Sequence, residues 1–110
     1  LKQRIKMADN SHVLLALMFS HSGLENPGNR GFLAELLAEA EEIMPGTKLK
    51  NMVVEPGEID GTTPENKGDR VAILKSYLNW AVSYETKDSK LCDTLCMLGL
   101  HIGAKHGLMD

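Results

Sequence analysis

Apolar side chains recur with helical spacing along most of this chain, and one stretch near its middle breaks the rhythm. Leu1, Ile5 and Ala8 are weakly in register, so residues 1–8 are expected to form a flexible arm or a short helical lead. Asp9, Asn10 and Ser11 then offer successive helix caps. The first predicted helix runs from Ser11 to His21, and Val13 to Phe19 cover every direction of its wheel, which requires burial nearly all round. Gly23 is its expected stop, and the Pro, Gly and Asn content of Ser22 to Gly31 reads as a loop. The second predicted helix, Arg30 to Met44, is amphipathic. Phe32, Leu33, Leu36, Leu37, Ala40 and Ile43 form its apolar face, Glu35, Glu39 and Glu42 its solvated one, and Pro45-Gly46 its end.

The break spans residues 47–62, where Val53, Val54, Pro56-Gly57 and Asp60-Gly61 suit an irregular segment or a short hairpin. Thr63-Pro64-Glu65 opens a third predicted helix that runs to about Tyr84, with Gly68 weakening its first turns so that ordered helix is expected only near Asp69. Thr86 or Asp88 caps the fourth, which ends with Lys105, His106 and Gly107. The predicted fold is therefore all-α, a compact bundle of four to five helices with one irregular crossing, in one domain covering residues 1–110.

Two predicted helices carry more apolar surface than one neighbour can cover. On the third, Val71, Leu74, Leu78, Ala81 and Val82 occupy one part of a wide arc, and Ile73, Tyr77, Trp80 and Tyr84 another. Tyr and Trp combine a large apolar body with a polar tip, so this edge suits either the core or a partner-facing surface. On the fourth, Cys92, Cys96, Gly99 and Gly103 fall within roughly 60° of one another at about 100° per residue. A line of small residues lets a second helix approach closely. These eight residues, Ile73, Tyr77, Trp80, Tyr84, Cys92, Cys96, Gly99 and Gly103, are the candidate interface, with close packing inside the chain as the ordinary alternative.

Composition narrows the functional classes. Apolar residues make up 43% and charged residues 25%, which is globular, and the longest apolar run, Val13 to Phe19, is too short to cross a bilayer. A net charge of −3 gives no general attraction to nucleic acid, although Lys2, Arg4 and Lys6 form a basic arm that a nucleic-acid-associated regulator would use. Two cysteines make no disulfide framework, and a reducing, cytoplasmic setting is the default expectation. The chain opens on Leu1, as expected of a domain excised from a longer protein or of one with extra residues ahead of Met7.

Metal and catalytic chemistry find little support. Cys92, Cys96 and His106 share a side of the fourth helix but His101 projects nearly opposite, so zinc would need His12 or His21 from elsewhere. No nucleophile stands with a base and an orienting acid. The residues favour a non-enzymatic helical interaction or assembly domain without cofactor or metal, with a protein partner and self-association through the third and fourth helices. A nucleic-acid regulator is the alternative, and a cysteine-centred metal or redox sensor a weaker one.

Overall fold

The computed structural model describes residues 22–45, 58–59 and 61–109. Among them the chain is all-helical. A 3-10 turn at Ser22–Glu25 precedes α1 (Pro27–Ile43), α2 (Pro64–Val82) and α3 (Ser89–Lys105). The expected helix from Ser11 to His21 and the arm of residues 1–8 lie outside the described residues, as does most of the irregular stretch. The bundle of four to five helices is thus represented by three.

The segment read as a loop from Ser22 to Gly31 instead starts α1 three residues early. Asn26 accepts a hydrogen bond from the Gly28 amide at 2.8 Å and Pro27 follows in the first turn, a pairing that nucleates a helix rather than a loop. Asn29 and Arg30 then reach back over the 3-10 turn, to the Gly23 carbonyl at 2.9 Å and the Leu24 carbonyl at 2.7 Å. Phe32, Leu33, Leu36, Leu37 and Ala40 are buried, as their spacing requires.

Gly68 does not delay α2, which is ordered from Pro64. The reason is a capping box: the Thr63 amide donates to Asn66 Oδ1 at 2.8 Å and the Asn66 amide to Thr63 Oγ1 at 3.3 Å. Such a cap contributes about 1 kcal/mol, enough to offset the helix cost of one glycine. Asp88 rather than Thr86 caps α3, accepting from the Leu91 amide at 3.1 Å. The far end closes with Gly107 at φ 71°, Gly107 N–H to Ala104 C=O at 3.1 Å and Leu108 N–H to Gly103 C=O at 2.8 Å. That pattern is the Schellman stop, and it folds Leu108 back into the core.

One end of the bundle is held by a buried polar network. Arg70, 0% exposed, donates from Nε to Asn29 Oδ1 at 2.8 Å and from Nη1 to Thr62 Oγ1 at 3.3 Å. Thr62 in turn donates to the His106 carbonyl. The 3-10 turn, α1, the lead into α2, and the C-terminus of α3 all converge on that one guanidinium. Its planar fork of donors suits such convergence, whereas a lysine would supply a single point of contact.

Candidate functional site

The small-residue stripe of α3 docks on α2 within the same chain. Gly99 and Gly103 are buried, and the space a side chain would occupy is already taken. A methyl group at Gly99 would sit 2.8 Å from Tyr77 Cε2 and 2.9 Å from Leu78 Cδ2; one at Gly103 would sit 2.7 Å from Leu74 Cδ2. Close approach of the two helices therefore needs glycine at 99, against the Tyr77 ring, whereas at 103 the neighbours are the ends of flexible side chains. Cys92 is buried in the core, while Cys96 is half-buried and packs against its margin.

The aromatic edge of α2 also faces inward. Ile73, Tyr77, Trp80 and Tyr84 are all buried, so the structure assigns the four proposed contact residues to the chain's own core. Their polar tips explain how. Tyr77 donates its hydroxyl to the Leu95 carbonyl of α3 at 2.7 Å, and burial, with Cys96 adding to it, pushes the phenol well above its ordinary range. Trp80 lies between the tyrosines, tilted against Tyr77 and edge-on to Tyr84, with ring centroids 5.7 Å and 5.5 Å away. Among the described residues its buried Nε1 meets no hydrogen-bond acceptor. Leaving such a donor unpaired costs roughly 1–3 kcal/mol, which the two ring contacts and the burial of the indole offset.

The same rotation of α2 that buries the aromatics turns Val82 out to 48% exposure. On α3 the division is sharper. Cys92, Leu95, Gly99, Ile102 and Gly103 face in, whereas Lys90, Asp93, Met97, Leu100, His101 and Ala104 are exposed within an arc of about 100° at helical spacing. Met97, 70% exposed, lies near the middle of that outer arc, and Leu100, 43% exposed, lies at its edge one turn further on.

A second cluster joins α1 to the end of α3. Glu35 Oε2 accepts from Lys105 Nζ at 2.9 Å and lies 3.3 Å from His106 Nε2, whose ring meets Phe32 edge-on with centroids 5.3 Å apart. Glu35 was expected on a solvated face with Glu39 and Glu42; only the latter two are exposed. Burial alone would raise its carboxyl, but the hydrogen bonds and charges of Lys105 and His106 outweigh this and leave it below its ordinary value. With Lys105 and His106 both within reach of one oxygen, the carboxylate fastens the C-terminal end of α3 to α1.

Cys96 presents a thiol rather than a thiolate. Burial first, then the neighbouring Cys92, raises the Cys96 thiol above its ordinary value, and Asp93 and Glu85 add to the shift. Among the described residues no group of three or more His, Cys, Asp or Glu side chains is placed to hold a metal ion. His12, His21 and the basic arm Lys2, Arg4 and Lys6 lie outside the described residues. No described helix is long and apolar enough to cross a membrane. No family model, curated protein or solved structure matches the chain.

Sequence spacing puts Met97 near the back of the fourth helix and Leu100 with Ala104 beside the small-residue stripe, but does not single out the outer arc as a surface. The signal was present in Lys90, Asp93 and His101, the polar residues that share their side of the wheel.

Proposed function

We propose that this chain is a non-enzymatic helical interaction domain whose contact surface is the outer face of α3, centred on Met97 and Leu100. The inner faces of the two over-wide helices are spent on each other, and among the described residues the most exposed large apolar side chain, Met97, stands on the outer face of α3. The observation that carries this reading is the exposure of Met97, 70%, on a helix whose opposite side is fully buried. Burying both side chains at a contact would contribute on the order of 3–5 kcal/mol before the costs of association. The Glu35 cluster supports the same view, since its carboxylate is engaged by Lys105 and His106 in an arrangement suited to fastening helices.

The test is a photo-activated benzophenone side chain placed at position 97, and at exposed Glu42 of α1 as control, in protein exposed to extract of its host cell. Discrete protein adducts, to another copy or to another protein, are expected at 97 and not at 42. Absence of any adduct at 97 overturns the reading.

A further inference from the structure

We draw no further inference here: the strongest candidate, the exposed surface patch around Met97 and Leu100 on the outer face of α3, carries nothing beyond the reading above, because nothing in the structure shows what covers it.

Discussion

Three glycines, each changed to alanine, separate helix propensity from packing at the α2–α3 seam. Gly68 is an exposed position inside α2 with nothing within 4 Å of an added methyl group, so Gly68→Ala should gain only the intrinsic preference, about 0.8–1 kcal/mol. Gly99→Ala gains the same preference but drives the methyl to 2.8 Å from Tyr77 Cε2 and 3.0 Å from Cδ2. That ring cannot swing aside, because its hydroxyl is fixed on the Leu95 carbonyl and the residue is fully buried. Overpacking of this kind costs about 1–3 kcal/mol, leaving a net loss of about 1 kcal/mol. Gly103→Ala meets the tip of Leu74 at 2.7 Å and Met109 Sδ at 3.1 Å, ends of side chains that can turn, and should come out near zero. Urea unfolding followed by the fluorescence of Trp80, the single tryptophan, measures all three. With a slope of roughly 1.5 kcal/mol/M, the midpoints of Gly68→Ala and Gly99→Ala should differ by more than about 1 M. Equal stabilisation by the two substitutions would refute the close seam.

Two further outcomes follow from the polar contacts. Arg70→Ala strands Asn29 Oδ1, loosens Thr62 and opens a cavity at one end of the bundle, which should lower stability by about 3–5 kcal/mol in the same urea assay. A loss below about 1 kcal/mol would show that the network contributes nothing net. For Glu35 the folded carboxyl lies below its unfolded value, so its contribution is fully present above the ordinary carboxylate range of about 4.3 and is lost as pH falls through the lowered folded value. Glu35→Gln should therefore cost about 0.5–1 kcal/mol at pH 7 and progressively less toward pH 3, read by unfolding at each pH; a pH-independent cost would contradict the pairing with Lys105 and His106.

The helical class, the cap at Thr63, the stops at Pro45 and Gly107 and the buried stripe of α1 were legible in the sequence because each depends on neighbours within one turn. Which arc of α2 faces inward was not. Its apolar residues span too wide an angle for periodicity to choose, and the choice is made by the glycines of α3, which admit Tyr77 and Leu78 but leave Val82 outside. Arg70 was equally hidden. A lone arginine in a helix reads as surface, and the arrival of Asn29, 41 residues away, supplies an acceptor for its Nε that helps make its burial tolerable. Glu35 was placed on the solvated face for the same reason, since Lys105 stands 70 residues along the chain.

The buried guanidinium of Arg70 also makes the two ends of the bundle unequal in how they close. At one end, residues 83–88 join α2 to α3 directly, and the backbone bonds from Asp88 and Lys87 to Tyr84 complete the turn with little search. At the other end nothing covalent helps: the contacts of Arg70 with Asn29 and of Thr62 with His106 close loops of 41 and 44 residues. Loop closure of that length carries its entropic cost before any contact rewards it, and a half-assembled network would hold a charge out of water with its acceptors missing. Partial docking at that end is thereby unstable on both counts, so α1, the lead into α2 and the end of α3 come together as one event, and the knot that looks like a local detail is what makes the described helices a cooperative unit.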